Sequence, residues 1–205
     1  SRGQRAARGW IDPGRERSPP SRGRSRDGSI IHSMGSAGRE GPRGARAEAR
    51  LRLRAPLRLL TYGLYAVTVR RGDEHNAFTA NWLTQVSFDP PLLALSVEND
   101  SRSIGMIRET GVFTVNVLPR EAVDGAGTLG RRSSTDPRKL DKVQWQPGPN
   151  GCAVLGCALA SIECVVEGSV PAGDSTVFVA RVGRASVLRE GTPLPMSDTP
   201  FKHAG

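Results

Sequence analysis

The sequence predicts a mostly β domain, a barrel or a sandwich with one or two short helices, preceded by a basic segment without a core of its own. Three observations carry this. From Leu59 onward, short apolar runs rich in β-branched residues recur between clusters of Gly, Pro, Asp and Asn. Helical periodicity is confined to two short stretches. Residues 1–58 hold 15 arginines against five acidic residues, and their first fifty contain few large apolar side chains beyond Trp10, Ile11, Ile30, Ile31 and Met34.

The elements follow in order. TYGLYAVTV (61–69) reads as a strand ending in the turn cluster Arg70-Arg71-Gly72-Asp73. Residues 77–103 read as extended, with LLALSVE (92–98) a clear strand, and Asp89-Pro90-Pro91 is expected to fix an extended exit because each proline restricts itself and its predecessor. SRSIGMIRET (101–110) reads as a helix: Ser101 is a good N-cap type, Ile104 and Ile107 share a face, and Gly111 stops it. VFTVNVL (112–118) is the next strand, and a second short helix is expected over 120–129 despite its glycines. ALASIECVVEGSV (158–170) and TVFVARVGRASVL (176–188) complete at least five strands, a spacing that suits a barrel or sandwich. A domain of this size buries about 68–70% of the surface its unfolded chain exposes, enough for one core.

The charge is unevenly placed. The chain of 205 residues carries a formal +9, of which residues 1–58 hold +10 and residues 59–205 hold −1. The arginine-rich extension, taken as residues 1–56 with the folded domain at 57–205, cannot offset about 1–2 kcal/mol of backbone entropy per residue and is expected to be disordered. It lacks the regular repeats and interleaved aromatics of a specific RNA-binding arm, so a flexible extension is the preferred reading over nucleic-acid binding. It also lacks the apolar core of a secretory signal. A third reading starts from a chain that does not begin with Met and has 26 Arg to 3 Lys, a bias expected of GC-rich coding DNA. Translation upstream of a true start at Met34 or later gives such text, and an intact mass of native protein that included earlier residues would exclude it.

Several chemistries are disfavoured. No run of about 18 apolar residues is present for a membrane helix. Cys152, Cys157 and Cys164, separated by four and six residues, form neither a zinc pattern nor a redox pair. They read as small buried residues of a reduced, cytoplasmic protein. The three histidines, His32, His75 and His203, support no hydrolytic triad or metal motif, and no metal is expected.

The informative stretch is AFTANWLTQVSFDPPLLALSVENDSRS (77–103). It sets Thr79, Asn81, Thr84, Gln85 and Ser87 in extended chain. Ala80 is small enough for a flat ligand to approach the backbone, and Trp82 offers a stacking face. Ser101, Arg102 and Ser103 then open the helix, where N–H groups, two hydroxyls and a guanidinium suit a phosphate. Asp100 opposes an anion there, so its side chain is expected to point away. On pattern alone, an ordinary N-cap and a polar strand face explain these residues equally well.

The ordered series Thr79-Ala80-Asn81-Trp82-x-Thr84-Gln85-Val86-Ser87-Phe88-x-Pro90-Pro91-Leu92, then Ser96-Val97-Glu98-x-Asp100-Ser101 and Ile107-Arg108-Glu109-x-Gly111-x-Phe113-x-Val115-Asn116-Val117-Leu118, resembles the flavin reductase-like family. Ile162-Glu163-Cys164, Gly173-Asp174-x-Thr176-x-Phe178-Val179 and Ser197-Asp198-Thr199 extend the likeness over about Leu57 to Gly205. The resemblance implies a Greek-key split β-barrel that dimerises and binds FMN, or FAD, near the subunit interface. By matching position, Thr79, Ala80, Asn81, Trp82, Thr84, Gln85 and Ser87 line the ring and ribityl chain, with Ser101, Arg102 and Ser103 towards the phosphate. It further implies hydride transfer from NADH or NADPH to flavin and delivery to a monooxygenase or another electron-acceptor protein, with no side chain needed as acid or base. The alternative is a flavoredoxin-like FMN electron carrier. One departure favours it: family members commonly have His after Gly-Asp, where this chain has Ser175, which offers no ring to stack on nicotinamide.

Overall fold

The computed structural model describes residues 52–201, all within one compact unit. The disorder expected of the arginine-rich extension concerns mostly residues 1–51, which lie outside the described residues. Its last residues, 52–56, belong instead to a helical run through residue 57. Residues 202–205, His203 among them, are also outside.

Nine strands and two helices follow: β1 (Tyr65–Arg71), β2 (Glu74–Ala80), β3 (Leu83–Phe88), β4 (Pro91–Glu98), α1 (Arg102–Thr110), β5 (Val112–Val117), α2 (Val123–Leu129), β6 (Trp145–Pro147), β7 (Ala153–Leu155), β8 (Ala160–Ala172) and β9 (Ser175–Val187). Short 3-10 turns cover Lys139–Lys142 and Met196–Asp198. Seven strands form one antiparallel sheet in the order β2-β1-β5-β8-β9-β4-β3, and β6 pairs with β7 in a separate ribbon.

The two edges of that sheet, β2 and β3, are joined by only Asn81 and Trp82. Three steps of extended chain span about 10–11 Å, so the sheet curls until its edges nearly meet. The result is a split barrel, and the split lies at this link.

Inside the barrel, Val67, Val69, Leu95, Val97, Phe113, Val115 and Phe178 form the principal core, and α1 plugs it with Ile104, Met106 and Ile107. A second core lies on the outer face of β1, β2 and β5, where Ala66, Ala77 and Leu118 meet Ala126 and Leu129 of α2, Leu140 and Leu155. Burial on both faces explains why β1 and β5 read as nearly continuous apolar runs. Asn116 fixes the small ribbon to β5: its Nδ2 donates to the Ala153 carbonyl (3.2 Å) and its Oδ1 accepts from the Leu155 N–H (2.8 Å).

The helix read over 101–110 is present with Ser101 as N-cap and Gly111 as left-handed C-cap at φ 67°. The second is shorter than expected, Val123–Leu129, because Pro119 to Ala122 form a turn. The extended exit expected of Asp89-Pro90-Pro91 is corrected: Phe88 pairs with Pro91, so Asp89 and Pro90, joined by a cis peptide bond, form the reversal between β3 and β4. The β6–β7 ribbon has no counterpart in the sequence reading, since three-residue strands set among Gly and Pro carry no alternation.

Candidate functional site

A cavity of about 410 Å³ opens at the barrel's split. Its floor is the end of β2 and the link, Phe78 to Trp82, beside Ser96 and Val97 of β4. One wall is Glu98 to Arg102, the turn into α1; the opposite wall is Gly130 to Ser134, the loop leaving α2, with Lys139 behind it. Two further cavities, about 350 and 680 Å³, adjoin it through Thr79, Asn81 and Trp82 and run towards Met196 and Phe201.

Of the ten residues expected at a ligand, six line this cavity: Thr79, Ala80, Asn81, Trp82, Ser101 and Arg102. Several already have partners. The Thr79 hydroxyl donates to the Ala126 carbonyl (2.6 Å), the Asn81 amide points at Met196 Sδ (3.5 Å), and Ser101 Oγ accepts from the Ser103 N–H (3.3 Å). Arg102 pairs with Glu74, which also receives Arg71; these two guanidiniums, Arg71 foremost, hold the Glu74 carboxyl below its ordinary range.

The structure does not bring the other four there. Ser103 is fully buried and accepts from Asn76 Nδ2 (2.9 Å), because two positions past the N-cap the helix turns its side chain into the barrel. Thr84, Gln85 and Ser87 lie on β3 outside the cavity lining, the first two exposed. Asp100, expected to point away, instead lines the cavity with its carboxylate paired to Arg132 (2.9 Å).

The loop wall was not anticipated from the sequence. Gly130 starts it beside α2, where a Cβ would stand 3.2 Å from the Ala126 carbonyl. Arg131, Arg132, Ser133 and Ser134 follow. Ser133 Oγ donates to Asn76 Oδ1 (3.2 Å), so Asn76 bridges this loop to Ser103 of α1. Lys139 is buried, and its ammonium donates to the carbonyls of Leu129 (2.8 Å) and Arg131. Burial pushes its pKa down to about 8, with Asp136 opposing the shift. A basic doublet followed by two serines was the available signal; a domain total of −1 concealed it.

The cavity thus sets an apolar floor (Phe78, Ala80, Trp82, Val97) beside a helix N-terminus with no acid in its first turn and a loop carrying two arginines and two hydroxyls. A flat ring joined to an anionic tail fits that arrangement. The other chemistry-bearing residues lie elsewhere. Ser175 is buried, with Oγ donating to Asp174 Oδ1 (3.1 Å). His75 packs on Trp145 with centroids 4.8 Å apart, its Nδ1 buried without a hydrogen-bond partner. Cys152 and Cys164 are buried free thiols, pushed up by burial to about 11 and about 12. No helix among the described residues is long and apolar enough to cross a membrane.

The family model of the flavin reductase like domain matches residues 57–204. The chain belongs to that family. It is 32% identical over 143 residues to the reductase subunit HsaB of a flavin-dependent monooxygenase from Rhodococcus jostii, covering 70% of this chain and 72% of that one. It is 30% identical over 161 residues to the NADH-dependent FMN reductase AsuE2 of Streptomyces nodosus, covering 78% and 86%. Among solved structures it is similar to BorF, the flavin reductase component of a bacterial two-component tryptophan halogenase, with a TM-score of 0.64, 33% identity and coverage of 71% and 91%. The chain spans only 61% of a high molecular weight rubredoxin of Moorella thermoacetica that it also matches.

Proposed function

We propose that this protein is a flavin reductase that binds FMN, or FAD, at the barrel's split, reduces it with NADH or NADPH, and supplies an oxygenase component such as a monooxygenase. The observation that carries this reading is the cavity itself, which puts an apolar floor and Trp82 next to a helix N-terminus and the Arg131–Ser134 loop. The kinds of protein it resembles support it: a monooxygenase reductase subunit, an NADH-dependent FMN reductase and a two-component halogenase reductase.

In this reading Ala80 and Trp82 receive the ring, and the Thr79–Trp82 backbone offers hydrogen bonds to its polar edge. Ser101, Ser134 and the guanidiniums of Arg131 and Arg132 hold the phosphate, with Ser133 anchoring the loop through its bond to Asn76. The bound flavin supplies the hydride-accepting chemistry. Donors fixed along the floor favour negative charge at that edge.

The working unit is a cytoplasmic homodimer. Edge strand β3 leaves Val86 51% and Phe88 90% exposed. A second copy laid along it would cover both and bring Thr84, Gln85 and Ser87 towards a flavin. Three cysteines without a disulfide suit a reducing compartment.

Anaerobic mixing of the FMN-loaded protein with NADH, then NADPH, tests the activity: bleaching within a turnover time supports it. A colourless protein with no flavin-dependent change in Trp fluorescence overturns it. Ser175 favours a second reading, a flavoredoxin-like carrier, because its buried hydroxyl presents no ring to a nicotinamide. Tight FMN binding without bleaching by either nicotinamide would select the carrier.

A further inference from the structure

Asp100 and Arg132 face each other across the cavity, one just before the N-cap of α1 and the other on the loop leaving α2. Arg132 donates through a terminal guanidinium nitrogen to Asp100 Oδ2 at 2.9 Å, and both line the cavity. The loop under Arg132 is fixed from both sides, by Ser133 to Asn76 and by Lys139 to the Leu129 and Arg131 carbonyls. Asp100 is equally placed by Ser101, whose N–H donates to the Glu98 carbonyl (3.0 Å) and whose Oγ caps α1. The pair therefore joins the two walls between which an anion would sit, and a carboxylate lining the cavity already occupies a guanidinium that faces that anion.

We propose that Asp100 is an internal competitor for the flavin phosphate: it holds Arg132 in the free protein and opposes the phosphate's claim on that guanidinium, so that flavin binds loosely and exchanges. This rests on the flavin reading above. A phosphate monoester carries a charge of about −1.5 to −2 at neutral pH. It therefore outbids a single carboxylate for Arg132, but the energy of the existing pair is subtracted from binding. Riboflavin, with the same ring and no phosphate, leaves the pair intact.

The test is titration of the full chain with FMN and with riboflavin at low ionic strength, where such a pair is least screened. Parent, Asp100→Asn, Arg132→Gln and the double variant are compared by Trp fluorescence. Both side chains are largely exposed, at 59% and 71%, so the fold tolerates these changes. Asp100→Asn is expected to tighten FMN about twofold to fivefold, the range of an exposed ion pair, and to leave riboflavin unchanged. Arg132→Gln is expected to weaken FMN alone, and in its background Asp100→Asn should lose most of its effect. The inference is overturned if Asp100→Asn leaves FMN affinity unchanged or lower, if riboflavin tightens equally, or if the gain persists undiminished without Arg132. If neither flavin binds the parent, the flavin reading itself fails and takes this inference with it.

Discussion

Lys139 donates its ammonium to the Leu129 carbonyl at the C-terminal end of α2, 2.8 Å away, from a position almost wholly buried. A second bond to the Arg131 carbonyl makes the same nitrogen the anchor of the loop that walls the cavity. Replacing it with methionine leaves two carbonyls without a donor, at about 1–3 kcal/mol for each group that stays dry. The sign of the pH dependence follows from its lowered pKa. Between about pH 8 and pH 10.5 the unfolded chain holds this proton while the folded chain sheds it, so the group's contribution to stability rises with pH. Urea midpoints measured from pH 7.5 to 10 should show the parent gaining on Lys139→Met across that window; a shrinking difference would contradict it.

Asn116 both donates to and accepts from the β7 backbone. Asn116→Ala removes bonds to the Ala66 and Ala153 carbonyls and from the Leu155 N–H. A loss of about 1–3 kcal/mol in urea unfolding is expected. Near-ultraviolet circular dichroism should change as well, since Trp145 sits in the released ribbon.

Trp82 lines the cavity at the split and its larger neighbour. If it faces the flavin ring, Trp82→Leu should weaken FMN and riboflavin equally, about twofold to tenfold from the aromatic contact alone. Equal loss for both ligands separates this effect from that of the arginine wall.

Cys152 and Cys164 are buried thiols with raised pKa values, whereas Cys157 is half-buried. Iodoacetamide at pH 8 should therefore modify Cys157 first in the native protein, and all three in denaturant, as read by peptide mass spectrometry. Rapid native labelling of Cys164 would contradict the packing.

Phe88 is 90% exposed on an edge strand. If the protein is a dimer across β3, Phe88→Asp should shift its sedimentation to that of a monomer and leave the circular dichroism unchanged. A variant that still sediments as a dimer would place the interface elsewhere.

Strands β1, β4, β5, β8 and β9 were legible because each is an apolar run between turn residues, and α1 because Ser101 and Gly111 mark both its ends; β2 (EHNAFTA) and β3 (LTQVSF) are too polar to stand out as separate strands. The floor and one wall of the site were legible too, since Thr79 to Trp82 and Ser101-Arg102 are close in sequence. The opposite wall was not, because Arg131 to Ser134 reaches the cavity only through the packing of α2 and the anchors Asn76 and Lys139. Local pattern also misplaced Ser103: its type suits a phosphate, but its helical position points inward, and only the register of α1 against β2 decides that.

The link of Asn81 and Trp82 carries none of the ladder pairings of the seven-stranded sheet, which run to Ala80 on one side and resume at Leu83 on the other. A single proteolytic nick between these two residues would therefore spare the whole hydrogen-bonded scaffold while letting the barrel's seam part. The two halves of the ligand floor therefore differ: Phe78 to Ala80 are paired positions of β2, whereas Asn81 and Trp82 meet the sheet only where the Trp82 carbonyl accepts from the Ser96 N–H (3.0 Å), so side-chain substitutions in the link change the floor without altering a ladder position.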